Sequence, residues 1–136
     1  MSSSFKIFDI AGSGMSAQSV RLNTVASNLA NADSVSGDPS SVYRARHPVF
    51  QAVMGNELSG ASVSVAGIAQ SPAAPESRYD PGNPLADAQG NVYAPNVNVV
   101  EEMADMISAS RSYQNNVEVL NTSRNMMLDT LKLGQS

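Results

Sequence analysis

Counting apolar positions from the N-terminus in steps of three and four gives Phe8, Ala11, Met15, Leu22, Val25, Leu29 and Ala32, with Gln18 the one polar member. That alternation, held for about 25 residues, predicts an amphipathic helix roughly 37 Å long. The same count near the C-terminus selects Val99, Met103, Met106, Tyr113, Val117, Leu120, Met127 and Leu131, interrupted by Ser110 and Arg124. A second helix of about 50 Å is expected there. Its start is well marked. Asn98 is placed to cap it, Glu101 stands three residues on as in a capping box, and Glu101, Glu102 and Asp105 suit the positive end of the helix dipole. Pro95 prevents a helix from running in from upstream.

Between the two helices the pattern changes. All 7 Pro and 6 of the 9 Gly fall in residues 33–97. Val42–Val53 carries β-branched and aromatic residues at alternate spacing, broken by Pro48. Ala61–Ile68 alternates and then slips register at Gly67, as a β-bulge does. Turn chemistry dominates Ser71–Asn98, punctuated by Pro81-Gly82 and Gln89-Gly90-Asn91, with Asn91-Val92-Tyr93 extended. The expectation is an α+β chain. Residues 1–33 form an N-terminal helix, 34–97 a small β-hairpin or three-stranded element with long loops, and 98–136 a C-terminal helix. The insert is too small for a large core of its own, so the helices need each other or another chain.

The polar faces sharpen this. Lys6, Asp9 and Arg21 are the only charged residues in 1–32, and the rest of that surface is Ser, Thr, Asn and Gln. Neutral groups of this kind suit contact on several sides, because they hydrogen-bond without the desolvation cost of a charge. Ala11, Gly12, Gly14, Ala17 and Ala26 let neighbouring backbones approach. At the end of the first helix, Asn28 and Asn31 are expected to satisfy terminal carbonyls or a neighbour's backbone. A two-helix coiled coil in a soluble domain accounts for the heptads equally well.

Composition narrows the function classes. A net charge of −4, with a pI near 4.7, argues against nucleic acid as a partner. Cys is absent, which excludes disulfides and thiolate metal sites. No apolar run approaches the length of a membrane span, so no direct membrane insertion is expected. Asp9 interrupts the N-terminal apolar run before a signal-type core forms, so no cleaved signal is expected either. From the residues alone the compartment defaults to the cytoplasm.

Candidate chemistry is sparse. Gly12-Ser13-Gly14 lacks the strand, third Gly and Lys of a phosphate loop, which favours close packing. His47 is the single His and has no second zinc ligand. Asp80, Asn83 and Asp87 do not match an EF-hand spacing, and turn formation explains them. The cluster Arg44, Arg46 and His47 is expected to meet a partner subunit's carboxylate, or solvent. Met103, Met106, Met126 and Met127 read as adaptable packing. No nucleophile, base and oxyanion donor assemble, so neither catalysis nor a cofactor is expected.

Three stretches resemble the flagellar basal-body rod family in its proximal-rod pattern. They are GSGMSAQSVRLNTVASNLANADS (Gly12–Ser34), with its Ser-Asn-hydrophobic-Ala-Asn-Ala ending, YRARHPVF (Tyr43–Phe50), and Arg78–Met127 nearly throughout. Ser34, Asn91 and Arg124 depart from the pattern without touching any chemistry. The resemblance implies a structural subunit of a helical tube, the shaft that carries motor torque across the periplasm. It implies export by the flagellar type III apparatus without signal cleavage. The implied partners are copies of the chain, other rod proteins, and the base adaptor and membrane ring at the proximal end. The assembly interface is then expected on the helical stripes: Phe8, Met15, Leu22, Val25, Asn28, Leu29 and Asn31 in the first helix, and Met103, Met106, Tyr113, Val117, Leu120, Met127 and Leu131 in the second. A soluble helical-hairpin adaptor or chaperone is the competing reading, and a small metal-dependent enzyme a third.

Overall fold

A computed structural model describes residues 2–55 and 60–135. Helix α1 spans Ser2–Ala30 and α2 spans Val99–Leu133. Between them lie β1 (Arg46–Met54), β2 (Ala61–Gln70), β3 (Glu76–Tyr79) and β4 (Asn91–Ala94). The fold is α+β, as expected. Asn98 caps α2 in an extended conformation, its side-chain oxygen accepting from the Glu101 N–H at 3.3 Å. Glu101 and Glu102 in the first turn and Lys132 in the last complement the helix dipole.

The helices pair antiparallel. Arg21 of α1 meets Asp105 near the start of α2 at 2.7 Å, Gly14 faces Asn116, and Phe5 and Phe8 line one groove with Met127 and Leu131. The α1 stripe packs as the sequence predicts. Ala11 and Val25 are buried, and Phe8, Met15, Gln18, Leu22 and Leu29 are half-buried. A Cβ on Gly14 would lie 2.9 Å from the Asn116 amide, so this glycine does serve close packing. Gly12, by contrast, has nothing near it.

On α2 the buried face is rotated from the predicted one. The column Met103, Ser110, Val117, Arg124 and Leu131 gives way to Glu102, Ala109, Asn116 and Ser123, one residue earlier at each step. Met106, Tyr113, Leu120 and Met127 keep their place beside it, half-buried. Met103 and Leu131 are each 53% exposed. The physical reason is size: Ala109 and Ser123 let the helix axes approach more closely than a Met or Leu would.

A second face of α1 carries the hairpin. Ala17, Thr24 and Asn28 are buried off the predicted stripe, and α1 packs against β1 and β2 as well as α2. β1 and β2 pair antiparallel from Arg46↔Gln70 to Met54↔Ala61. The register shifts where Val49 faces Gly67 and Phe50 faces Val65, leaving Ala66 as the extra residue. That is the bulge expected at Gly67. Pro48 does not break the strand; it pairs with Ile68. A two-stranded ribbon leaves alternate N–H groups unpaired, so a residue without one is tolerated. Among the described residues, the insert contains one more strand than its turn-rich sequence suggests. β3 pairs with β4 from Glu76↔Ala94 to Tyr79↔Asn91, making two separate ribbons rather than one sheet. Ser36 and Tyr93 exchange both backbone hydrogen bonds at 2.8 Å, tying the chain after α1 to the second ribbon. The buried apolar residues are mostly small: Ala11, Ala17, Val25, Val42, Ala45, Val92 and Ala109.

Candidate functional site

The end of α1 shows what its uncharged residues do. Asn28 has no solvent exposure. Its amide donates to the Arg46 carbonyl at 2.9 Å, and its oxygen accepts from the Arg46 N–H at 2.9 Å and the Tyr43 hydroxyl at 2.8 Å. The side chain thus behaves as an extra strand for Arg46. Since Tyr43 spends its one proton on Asn28, Ser27 donates to the Tyr43 oxygen at 3.0 Å. Asn31 takes the other expected role: its amide donates to the Ser27 carbonyl at 2.8 Å and closes the last turn. Both side chains therefore bond within the subunit.

The basic cluster makes contacts within its own chain, and Arg46 and His47 also remain exposed to solvent. Arg44 donates to the carbonyls of Ser71 and Ala73, at 3.4 and 3.2 Å. The Arg46 guanidinium lies 5.6 Å from the Tyr43 ring centroid, a cation–π contact. His47 Nε2 is 4.0 Å from Glu102 Oε1. In the second ribbon, Asp80, Asn83 and Asp87 act as turn formers. The Asp87 carboxylate accepts from the backbone of Asn91 and Gln89 and from the Tyr93 hydroxyl. The Asn91 N–H foremost holds the Asp87 carboxyl below its ordinary range, and the Asp87 hydrogen bond raises the Tyr93 phenol. Among the described residues no group of three His, Cys, Asp or Glu could hold a metal ion.

Several large apolar residues also remain exposed. Phe5, Phe8, Met127, Leu128 and Leu131, with Arg124, line an open groove of about 320 Å³ at the end of the helix pair. Val100 is 77% exposed and shares the outer face of α2 with Met103 and Ile107. Val119, Met126 and Leu133 repeat one heptad apart along a further exposed line. So α2 carries apolar residues both in the seam and outside it. Of the residues assigned to assembly, Met103 and Leu131 lie outside, and Phe8 and Met127 line the groove. Met15, Leu22, Leu29, Asn31, Met106, Tyr113, Val117 and Leu120 are half-buried, and Val25 and Asn28 lie wholly inside. Phe5, Val100, Ile107, Val119, Met126 and Leu133 are exposed apolar residues outside that set. Their signal was present as apolar residues left over once the heptad had been drawn.

Two family models match this chain: "Flagella basal body rod protein" over residues 8–37, and "Flagellar basal body rod FlgEFG protein C-terminal" over residues 88–133. These are the two helical ends. Whole-length relatives agree. The flagellar basal-body rod protein FlgC of Escherichia coli O157:H7 is 58% identical over 129 residues, covering 95% of this chain and 96% of its own length. FlgC of Salmonella typhimurium is 57% identical with the same coverage, and FlgC of Yersinia enterocolitica is 60% identical over 131 residues. The chain belongs to the FlgC family of flagellar basal-body rod proteins. As a FlgC-family chain it is a structural subunit of the rod, and the adaptor reading is not favoured.

Proposed function

We propose that this chain polymerises through the outward faces of α1 and α2 into the proximal part of the rod, where it carries motor torque and has no catalytic role. The observation that supports this reading most is the exposed apolar surface of α2. A free subunit gains nothing from leaving Val100, Met103, Ile107, Met126 and Leu131 in water, whereas burial against neighbours is favourable by about 25 cal/mol for each Å² covered. The end groove would receive a neighbour's helix in the same way. Other rod proteins, the base adaptor and the membrane ring are the partners this placement implies. Passage through the type III export apparatus without cleavage is the corresponding route to the periplasm.

Met103→Asp and Ile107→Asp test the reading. Each leaves the seam intact, so the purified subunit should keep its stability within about 0.5 kcal/mol. Recovery of the variant in isolated basal bodies and swimming in a strain lacking the native subunit should both collapse. Normal swimming with both substitutions would refute polymerisation through this face.

A further inference from the structure

The β1–β2 ribbon has two edges, and hydrogen bonds fix which residues face them. Gly55 donates to the Gly60 carbonyl at 3.2 Å, so the two form a hydrogen-bonded pair. Such pairs alternate along an antiparallel ladder. Val53↔Ser62 and Gln51↔Ser64 therefore bond across the ribbon, whereas Phe50, Ala52 and Met54 turn their N–H and C=O groups outward on β1, and Val63 does so on β2. Val63 agrees: its N–H leaves the ribbon and donates to Ser13 Oγ of α1 at 3.1 Å. At the base of the ribbon Ser71 donates to the Ala45 carbonyl at 2.7 Å, and the same alternation turns Arg46 and Pro48 outward on β1. Asn28 takes both backbone groups of Arg46, and Pro48 has no N–H to offer.

One stretch of edge is left. The outward groups of Phe50, Ala52 and Met54 have no partner among the described residues. Phe50-Gln51-Ala52-Val53-Met54 contains neither a charge nor a Pro, and every one of its residues is exposed, Met54 at 81%. Edges kept single in soluble proteins carry a Lys or a Pro, or are covered. The stretch is also complementary to itself. Laid antiparallel about Ala52, a second copy sets Phe50 opposite Met54 and Ala52 opposite Ala52. Each of these pairs brings outward groups face to face, so each exchanges both backbone bonds. The Phe50 ring meets the Met54 thioether on either side of the axis. A second copy brings the same charges to the contact, and here there are none to repel. Sliding the pairing toward the base sets Pro48 against Met54 and loses a donor, which fixes the register.

We infer that Phe50–Met54 is a pairing edge for a second copy of this chain, joining two ribbons into one antiparallel sheet about a two-fold axis at Ala52. Such a contact closes on itself, unlike the open-ended contacts of a polymer. It belongs to the unassembled subunit and does not depend on the rod reading above.

Sedimentation of the purified chain tests it. Wild type should pass from monomer to dimer as its concentration rises. Ala52→Lys and Ala52→Glu each place like charges across the axis, and each should weaken the dimer at least about tenfold. An equal mixture of the two variants should recover it. Ala52 is exposed, so both variants should keep the wild-type melting curve. A wild-type chain that stays monomeric, a mixture that fails to pair, or a dimer indifferent to Ala52→Lys overturns the proposal, the last by placing the contact on another face. Amide exchange of the wild type needs no variant. The N–H groups of Phe50, Ala52 and Met54 should exchange more slowly as concentration rises, and exchange independent of concentration at all three overturns the pairing as well.

Discussion

Asn28 carries more of this fold than its small side chain suggests. It holds both backbone groups of Arg46 and the Tyr43 hydroxyl, with no water contact of its own. Removing it leaves those groups without their partner, and an unsatisfied group costs more than a hydrogen bond gains. Asn28→Ala should lower the unfolding free energy of the subunit by about 2–3 kcal/mol, read from urea denaturation of the purified chain. An unchanged midpoint would show that the Arg46 backbone finds other partners. Gly14 works differently, by having no side chain where Asn116 crosses the seam. Both residues were visible in the sequence as neutral or small. Neither revealed its partner, because Arg46 and Asn116 are brought near by the tertiary fold.

Among the elements, the β3–β4 ribbon is tied to two ionisable groups whose titration its hydrogen bonds shift. The Asp87 carboxyl is depressed below 3.8, first by the Asn91 N–H, so its contribution is present above that value and is lost as pH falls through the folded-state pKa. The Tyr93 phenol is raised above 10.0 by its hydrogen bond to Asp87, so its contribution is present below that value and is lost as pH rises through the folded one. The loop from Asp80 to Asn91 is therefore best held between these limits. Acid titration followed by the amide resonances of Gln89 and Asn91 should show a transition below pH 3.8, and Asp87→Asn should abolish it. A transition that survives the substitution would assign it to another group. Gly90 completes the turn at φ 81°, a conformation other residues adopt at a cost. The turn chemistry was legible in Asp80-Pro81-Gly82 and Gln89-Gly90-Asn91. The short strand β3 was not, because Pro75 and Pro81 flank its four residues and leave no room for an alternating pattern.

At the scale of the whole molecule, α1 is the common support. It packs against α2 on one face and against the β1–β2 hairpin on another, while the buried apolar residues are few and mostly small. A chain lacking residues 1–30 should therefore lose the helical signal of α2 along with that of α1, and show no cooperative melt in far-UV circular dichroism. A helical, cooperatively melting fragment would mean that α2 and the insert stand without α1. This shared support also explains the low charge of α1, since a Glu or Lys on either packed face would need a partner.

The sequence by itself determined the local features. Two long helices follow from apolar repeats at i, i+3 and i+4, the α2 start from Asn98, and the β2 bulge from the slip at Gly67, because each is set by neighbours a few residues apart. It also carried the family, through the Ser27–Ala32 ending and the long match from Arg78 to Met127. Only the tertiary structure decided which side of α2 faces α1. Two sets of apolar positions compete there, and the choice goes to the column of Ala109 and Ser123, since small residues let the helices approach and turn Met103 and Leu131 outward. The same rotation buries Glu102 beside His47 and leaves Val100 and Ile107 exposed. Those placements depend on contacts between residues far apart in the chain, which no local period encodes.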